Sequence, residues 1–379
     1  MKRTKAPRRP EELLAKRGGV VELLRLPSAL FSAVARLRGL LYDKGLLPST
    51  RVEVPVVCVG NISAGGTGKT PMVVWLAKRL QGSGHRPGIL SRGYGKSGVS
   101  GAESDEARLY AELLGDLPRV AMADRVEGVG RLVELGAGLV LMDDGFQHRR
   151  LARDLDLVLV DATRPWGLPP ASPGAIPVRA SLPRGLLRES PAALGRAAAI
   201  VITRCDQVTA ADLANLEAEL QNYAPLVPRL LAKTAPSSLE PLFPELENEP
   251  TTAAPESLAG KRVELLSAIG NPGSFEAGIE SLGAVLCGHL RFPDHHEFVA
   301  EDVANLGEAG TLVVVTAKDA VKLRGLGREA FAKARAGVVV LHIDFVLMRG
   351  EELLQDCIDT LPEGSVHRQL SNLHEGLHG

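Results

Sequence analysis

The chain has few aromatic residues and no excess of either charge. Aromatic side chains make up 4% of its 379 residues, and 44 Lys and Arg face 45 Asp and Glu, for a net charge of −1. Such a chain has neither the overall positive field that attracts nucleic acid nor the aromatic platforms on which single-stranded bases stack. The composition therefore disfavours a nucleic-acid-binding protein.

Cysteine is also scarce. The cysteines show neither a metal-ligand nor a disulfide spacing, and they are Cys58, Cys205, Cys287 and Cys357. This usage is typical of a protein in a reducing cytoplasm. A secretion signal is not expected, because the basic start MKRTKAPRRP is followed by charged residues such as Glu11 and Glu12, not by an apolar core.

A chain of this length can form two domains, each with its own core. Apolar runs alternate with helical stretches, which predicts an α/β fold: a P-loop NTPase-type doubly wound sheet and a second, smaller α/β domain joined by a hinge. The segment 232–260 shows no clear period and is predicted to be the hinge or linker. The predicted divisions are an N-terminal helical segment 1–50, a P-loop domain 51–235, a smaller domain 236–365 and a tail 366–379.

The most informative motif is GNISAGGTGKTP at 60–71, directly after the apolar run 54–59. A strand, a glycine-rich turn and a helix in this order form the phosphate cradle of P-loop proteins, because small residues let backbone N–H groups turn toward a polyphosphate. Lys69 would reach the β- and γ-phosphate oxygens, and the Thr70 hydroxyl would ligate Mg²⁺. Ser63 stands where the usual pattern has glycine. The residues predicted to bind the nucleotide are Ser63, Ala64, Gly65, Gly66, Thr67, Gly68, Lys69 and Thr70.

A second motif, LVLMDDGFQH at 139–148, is an apolar strand that ends in two carboxylates, Asp143 and Asp144. Ligands of open α/β sheets bind at the carboxyl ends of the strands, and an aspartate there helps to hold the Mg²⁺ of a bound nucleotide. The alternative is that one of the two aspartates only caps a helix. The motif favours a metal-nucleotide site.

Three further motifs leave their interpretation open. Asp105, in SDEARL, begins a predicted helix and could be no more than a helix cap. FPDHHEF at 292–298 groups several titratable residues, which fits either loop structure or catalysis. TRCD at 203–206 is a poor match to the guanine-reading Asn-Lys-x-Asp of GTPases, since Thr and Arg replace Asn and Lys.

Positive charge is concentrated in residues 1–51, with 12 Lys and Arg against 4 Asp and Glu. The same segment carries an apolar stripe at helical spacing, made of Leu23, Leu26, Leu30, Val34, Leu37 and Leu41. Its longest uncharged run, 26–35, is too short to span a bilayer. A basic amphipathic helix can lie in an anionic membrane surface, or it can pack on its own domain. Both readings are open from the residues alone.

Taken in order, the motifs resemble the tetraacyldisaccharide 4'-kinases, the lipid A 4'-kinases of Gram-negative bacteria. The resemblance covers roughly residues 10–360, and SDEA and TAKDAVKL stand where GDEP and TEKDAVKL are expected. The segments that carry it are GNISAGGTGKTP (60–71), SRGYG (91–95), SDEA (104–107), DDGFQHRRLARDLDLVLVDA (143–162), LLRE (186–189), AIGNPGSF (268–275), FPDHHEF (292–298) and TAKDAVKL (316–323).

The resemblance implies a kinase that uses ATP and Mg²⁺ to phosphorylate the 4'-hydroxyl of tetraacyldisaccharide 1-phosphate, giving lipid IVA. Because that acceptor is a lipid of the inner membrane, the enzyme is expected at the cytoplasmic face as a peripheral membrane protein. This gives the basic helix a role. No obligatory protein partner and no nucleic acid are expected.

The resemblance also implies roles for individual residues. Asp105 would orient or deprotonate the sugar hydroxyl, assisted by His295, with His296 as the alternative. The residues expected on the metal are Thr70, Asp143, Asp144, Gln147 and Glu189. Those expected to line the substrate side of the site are Tyr94, Arg125, His148 and Arg188.

Two other classes remain as alternatives. A P-loop GTPase or metallochaperone would explain the P-loop, the paired aspartates and TRCD, but it gives no role to FPDHHEF or to the basic helix. A non-catalytic, membrane-bound nucleotide sensor would require a damaged P-loop or a lost acid, and neither change is present.

Overall fold

A computed structural model describes residues 10–93, 105–172, 175–244 and 252–361. The chain divides into two compact units. Of the described residues, the larger unit comprises those within Glu11–Lys233 and 347–361, and the smaller unit comprises those within Thr234–Val346 together with Pro10. Each unit is an α/β assembly, as the sequence predicts.

The strands follow the apolar runs of the sequence. In chain order they are β1 Val56–Asn61, β2 Pro87–Ser91, β3 Arg119–Ala121, β4 Leu139–Asp143, β5 Leu155–Asp161, β6 Ala199–Thr203, β7 Arg229–Pro241, β8 Arg262–Ser267, β9 Val285–Arg291, β10 Leu312–Thr316 and β11 Gly337–Arg349. In the larger unit the order is β3-β2-β4-β1-β5-β6-β7, and in the smaller unit it is β11-β10-β8-β9. Neighbouring strands within these sets pair in parallel, from β3 to β7 and from β11 to β9.

Helices connect the strands and cover the sheets. They are α1 Pro10–Leu14, α2 Arg25–Asp43, α3 Lys69–Gly82, α4 Asp105–Leu114, α5 Arg125–Glu134, α6 Ala210–Tyr223, α7 Pro272–Ser281, α8 Ala300–Val303, α9 Ala317–Arg324 and α10 Glu351–Asp359. Several begin at polar caps. The Asp124 carboxylate accepts from the Val126 amide at α5, and the Thr316 hydroxyl accepts from the Asp319 amide at α9.

The core of the larger unit lies on both faces of its central strands. Every residue of β1, β4 and β6 is buried, as expected for parallel strands covered by helices on both sides. Gly60 is needed in β1, because a Cβ atom there would lie 2.6 Å from the Cβ of Phe146. The strands β1, β4 and β6, and thus the start of the loops that follow them, are fixed in the buried core.

The boundary between the two units, at Lys233 and Thr234, falls at the start of the predicted hinge or linker 232–260. Strand β7 continues through this segment to Pro241, and its residues alternate only weakly between buried and partly buried positions. Pro, Ser and charged residues hide this strand pattern in the sequence.

The N-terminal segment docks on the larger unit through its polar side. The Ser28 and Ser32 hydroxyls of α2 bond to Ser181, at 2.7 Å to its carbonyl oxygen and 2.8 Å to its hydroxyl. The buried Arg184 guanidinium donates to the carbonyl oxygens of Leu14 (2.6 Å) and Lys16 (2.9 Å) and pairs with Glu22 at 2.7 Å. Among the described residues, no helix is long and apolar enough to cross a bilayer.

Candidate active site

The loop of residues 62–68 connects the central strand β1 to α3 in the larger unit. Gly65 (φ 112°) and Gly68 (φ 89°) take left-handed conformations, which glycine adopts without strain. Ser63 is buried and bridges to Leu187 in antiparallel fashion. Glycine is thus required at positions 65 and 68, and the serine at position 63 fits an extended backbone.

A second segment, 186–188, lies against the start of this loop. The Ala64 amide donates to the Leu186 carbonyl (2.7 Å), and the Arg188 amide donates to the Ile62 carbonyl (2.8 Å). This pairing places the LLRE motif beside the P-loop. It also sets the position from which the Arg188 side chain reaches the site.

Three charged side chains meet at the mouth of the loop. Asp144 accepts from Arg188 Nη1 with both oxygens, at 2.7 and 2.8 Å, and lies 3.4 Å from Lys69 Nζ. Burial alone would raise the pKa of Asp144, but the charges of Lys69 and Arg188 outweigh it and lower the pKa to about 2. Asp144 has φ 54°, so its backbone is strained to face them. Two cations converge on one carboxylate where phosphate is expected to bind.

Asp143, its neighbour, is in a different environment. Its Oδ2 accepts from the buried Tyr110 hydroxyl at 2.8 Å, and its Oδ1 is buried with no hydrogen-bond partner among the described residues. Burial raises its pKa to about 6, although Lys69 opposes the shift. Burial raises the pKa of the Tyr110 hydroxyl, and the neighbouring Thr70 side chain opposes the shift. Asp143 therefore keeps one oxygen available for a ligand.

Tyr110 was not identified from the sequence. It lies on α4, five positions after Asp105, and its hydroxyl bonds to the strand-end aspartate close to the P-loop threonine Thr70. The available signal was indirect: a tyrosine on the buried side of a helix needs a partner for its hydroxyl. The sequence could not show that this partner lies 33 residues away.

The other predicted residues of the larger unit are close to this cluster or bonded to its supports. Arg125 is buried, donates to the Met122 carbonyl at 3.0 Å, and has its pKa lowered by burial. The pKa of His148 is lowered by burial and by the charge of Arg125, and its Nε2 is buried without a partner among the described residues. Arg125 adds positive charge near the two aspartates, and His148 adds hydrogen-bonding capacity beside Arg125.

Gln147 and Glu189, predicted on the metal, have protein partners in the structure. Gln147 Nε2 donates to the Asn61 carbonyl at 2.9 Å, and Glu189 Oε2 accepts from Arg196 Nη1 at 2.8 Å. The other oxygen of Glu189 is buried with no partner among the described residues. Asp105 is the first residue of α4 and its side chain is not described, and Tyr94 lies outside the described residues.

The FPDHHEF motif lies in the smaller unit, after β9. His296 Nε2 is 2.9 Å from Asp302 Oδ2, and its ring stacks on Phe292 with 4.5 Å between centroids. His295 has φ 60°, and its side chain is 52% exposed. The two adjacent histidines therefore differ: His296 is part of the local packing, and His295 is half exposed, with its Nε2 3.8 Å from Asp294 Oδ2.

Helix α9, from the TAKDAVKL motif, holds this loop in place. Lys318 Nζ bonds to Asp294 Oδ1 at 3.1 Å, and Lys322 Nζ donates to the His296 carbonyl at 3.0 Å. Burial would raise the pKa of Asp294, but the charge of Lys318 lowers it. The fully buried Asp319 accepts from the Ala268 amide at 3.1 Å. The motif is thus a support for the histidine loop.

A glycine loop between a central parallel strand and a helix, with aspartates at the end of the adjacent strand, defines a P-loop protein of the α/β class. The pairing of Val59 with Asp143 in the register of β1 and β4 produces this arrangement. Comparison with known proteins narrows the class further. The family described as LpxK, Tetraacyldisaccharide-1-P 4'-kinase, matches residues 20–362.

Relatives and a solved structure agree. The Tetraacyldisaccharide 4'-kinase of Anaeromyxobacter dehalogenans (strain 2CP-C) is 39% identical over 355 residues, or 88% of each chain. That of Syntrophus aciditrophicus (strain SB) is 34% identical over 332 residues, covering 79% of this chain and 84% of the relative. The crystal structure of LpxK from Aquifex aeolicus in complex with ATP matches with a TM-score of 0.63 and 29% identity, over 90% of this chain and 98% of that one. The chain belongs to the tetraacyldisaccharide 4'-kinase family, which confirms the resemblance and the α/β P-loop fold predicted from the motifs.

Proposed function

We propose that this kinase transfers the γ-phosphoryl group of ATP to the 4'-hydroxyl of tetraacyldisaccharide 1-phosphate, giving lipid IVA in lipid A biosynthesis. The names of the relatives and the ATP complex of the Aquifex protein support the substrates. The observation that carries the proposal is the convergence of Lys69 and Arg188 on Asp144 at the P-loop. The Lys69 and Arg188 side chains can bind triphosphate oxygens in place of Asp144. They then stabilise the negative charge of the transferred phosphoryl group.

The residues present also fit Mg²⁺. Asp143 Oδ1 is a buried oxygen without a hydrogen-bond partner among the described residues, and Thr70 lies in the first turn of α3. Oxygen ligands and nucleotide phosphates are the usual ligands of Mg²⁺ in kinases. We assign Asp143 and Thr70 to hold the ion, with Asp144, Gln147 and Glu189 as the remaining candidates. Bound there, Mg²⁺ would neutralise phosphate charge.

Asp105 is our candidate for the base that orients or deprotonates the sugar hydroxyl. We assign His295, not His296, to assist it, because the His296 imidazole is already engaged with Asp302 and stacked on Phe292. Tyr94, Arg125 and His148 are assigned to the substrate side together with Arg188. A general base and its partner must lie within hydrogen-bond reach of the hydroxyl in the complex.

The test is turnover with ATP, Mg²⁺ and the disaccharide 1-phosphate in detergent, in the native chain and in Asp105→Asn. The variant should lose roughly 10²–10⁴-fold in turnover, the share of a general base, with ATP affinity nearly unchanged. As a control, Asp116→Asn removes another carboxylate just beyond α4 and should leave turnover intact. Full activity of Asp105→Asn would return this residue to helix capping, and no turnover in the native chain would contradict the proposed reaction.

We also assign the protein to the cytoplasmic face of the inner membrane, as a peripheral protein. The apolar stripe of α2 faces away from the unit on which the helix docks, with Leu26 79%, Leu30 67% and Val34 58% exposed. A helix that packs through serines and exposes its leucines has the reverse of the usual arrangement, and a lipid surface would cover the apolar side. The lipid acceptor makes such a surface the place of reaction.

Vesicle binding tests this assignment. Deleting the segment is a poor test, because Arg184 would lose the acceptors it finds at Leu14, Lys16 and Glu22, which would disturb the docked surface as well as remove the helix. Replacing Leu26, Leu30 and Val34 with Ser keeps the docked side and should weaken partition to anionic vesicles by at least tenfold. The control Leu226→Ser changes a 95% exposed leucine elsewhere. Equal binding by the triple variant would make the helix purely structural.

A further inference from the structure

The TRCD motif has so far no role in the proposed reaction, and the structure places its first two residues against the P-loop. Thr203, buried at the end of β6, donates its hydroxyl to the Thr67 carbonyl at 2.9 Å. Arg204 Nη1 donates to the Gly66 carbonyl at 2.9 Å and also bonds to Asp161. Two consecutive carbonyl groups of the loop are therefore held by two consecutive side chains.

Fixing these carbonyls also fixes amide directions. A peptide unit is planar and trans, so the C=O of one residue and the N–H of the next point to opposite sides. With the Thr67 carbonyl bound to Thr203, the Gly68 amide is directed away from β6. With the Gly66 carbonyl bound to Arg204, the Thr67 amide is set to close its turn onto the Gly65 carbonyl at 3.1 Å. Thr203 and Arg204 thus fix the backbone conformation of the loop through its carbonyl groups, on the side opposite to the amides that a phosphate would meet.

The arginine itself is positioned at a conformational cost. Arg204 has φ 54°, a left-handed conformation that residues other than glycine seldom adopt. Its partner is also fixed, because Asp161 Oδ1 accepts from the Thr163 amide (2.9 Å) and hydroxyl (2.7 Å) and leaves Oδ2 for Arg204. Strain of this kind persists where the surroundings over-determine a conformation, and it is common at ligand sites.

We propose that Thr203 and Arg204 are positioning residues, which preorganise the P-loop backbone for the polyphosphate of the nucleotide and do not read its base. The inference rests on the proposed use of ATP. It gives TRCD a role different from that of the guanine-reading motif to which it has a weak similarity. Loop amides of this kind cradle the α- and β-phosphates, and the P-loop lysine reaches the β- and γ-phosphates. The two residues should therefore act most on nucleotides that carry a β-phosphate and less on AMP, which lacks it.

The experiment measures binding of AMP-PNP, ADP and AMP to the full chain by calorimetry, so that it does not depend on turnover. Thr203→Val removes the hydroxyl and keeps the methyl group that lies 3.7 Å from the Cβ position of Gly68, and Thr203→Ser restores a hydroxyl. Arg204→Lys keeps the charge but not the fork geometry. The matched control is Thr209→Val, which removes the hydroxyl that caps α6 six residues later.

Thr203→Val and Arg204→Lys should each weaken AMP-PNP and ADP binding about threefold to tenfold, the net effect of one hydrogen bond, and AMP binding less than twofold. Thr203→Ser and Thr209→Val should bind as the native chain does. Equal losses for AMP and AMP-PNP, or no loss in either variant, would overturn the inference. If Thr203→Val does not unfold cooperatively, the inference is tested on Arg204→Lys alone, by its loss of AMP-PNP and ADP binding relative to its loss of AMP binding. A native chain that fails to bind AMP-PNP would instead contradict the proposed use of ATP.

Discussion

The two units each present a loop at the carboxyl end of a parallel strand, and the two loops differ in how far their polar groups are satisfied. In the larger unit, buried atoms of Asp143, His148 and Glu189 lack hydrogen-bond partners among the described residues. In the smaller unit, Asp294 and His296 are each bonded to a partner from a neighbouring element or turn. Unsatisfied buried polar groups are costly unless a ligand or water completes them.

The same contrast appears in the two lysine–aspartate pairs. Lys69 and Asp144 lie 3.4 Å apart with a second cation on the aspartate, which is a pair that phosphate can reorganise. Lys318 and Asp294 lie 3.1 Å apart and fix a loop to α9. The Lys69–Asp144 pair is therefore suited to a ligand. The Lys318–Asp294 pair instead supports a loop that carries one half-exposed histidine, His295. The four predictions below test this difference.

The largest effect is expected for Lys69→Ala. The side chain is used for charge and not for the core, so turnover should fall by roughly 10³-fold while cooperative unfolding is retained. Steady-state rates and a melting curve measure the two quantities. Lys78→Ala, an exposed lysine of the same helix, is the control. Near-native turnover in Lys69→Ala would remove the P-loop lysine from the reaction.

The adjacent histidines give the sharpest comparison. His295→Ala should lower turnover roughly 100-fold with little change in stability, because its side chain is half exposed. His296→Ala should instead lower the free energy of unfolding by about 2–3 kcal/mol, because it loses the bond to Asp302 and the contacts with Phe292 and Phe298. Rates and denaturant unfolding of both variants are compared. The reverse pattern would exchange the two roles.

Tyr110→Phe should have a smaller effect. It removes only the hydroxyl that bonds to Asp143 at 2.8 Å, which costs about 1–3 kcal/mol of stability because a buried acceptor is left unpaired. The apparent affinity for Mg²⁺ with AMP-PNP should also weaken, measured by titration without turnover. Tyr223→Phe keeps its edge-on ring contact with Trp166 and is the control. Unchanged stability and Mg²⁺ affinity would show that the hydroxyl does not matter.

The smallest effect concerns Glu276 in the smaller unit. Burial would raise its pKa, but hydrogen bonds from His289 and Arg291 outweigh burial and lower the pKa from 4.5 to about 2. Because the folded-state pKa is depressed, its contribution to stability is complete above pH 4.5 and is lost as the pH falls toward 2. Glu276→Gln should be less stable by about 1–2 kcal/mol at pH 7. The difference in the free energy of unfolding between this variant and the native chain should shrink as the pH falls from 4.5 toward 2. A difference that stays constant over this range would contradict the assignment.

The sequence was sufficient where the pattern is local. The strand before the P-loop, the strand that ends in the paired aspartates and the helix after the P-loop are confirmed, because apolar runs and glycine turns indicate a buried parallel sheet directly. The contact partners of side chains that lie far apart in the sequence could not be predicted from it. The residues next to Tyr110 in the sequence do not indicate that its hydroxyl contacts Asp143. Those next to Arg204 do not indicate that its guanidinium contacts the Gly66 carbonyl.

Helix α2 shows a different limit. Its apolar period correctly predicts an amphipathic helix, but periodicity usually implies that the apolar side is buried. Here the docked side is formed by Ser28 and Ser32, and the leucines are exposed. The period of a helix therefore shows that its sides differ, and only the contacts show which side the protein itself covers.

The docking of α2 also has a consequence for the order of events during synthesis. Ser28 and its acceptor Ser181 are 153 residues apart, and Leu14 and Arg184 are 170 apart. At about 5–20 residues per second, the ribosome makes the helix roughly 8–30 s before its docking partners exist. Until residues 147–149 are made, which bond to Arg38, Gly39 and Asp43, none of these docking contacts of the helix can form. A bilayer near the ribosome could bind the apolar side first, so that the rest of the larger unit would complete its folding on a helix already in place.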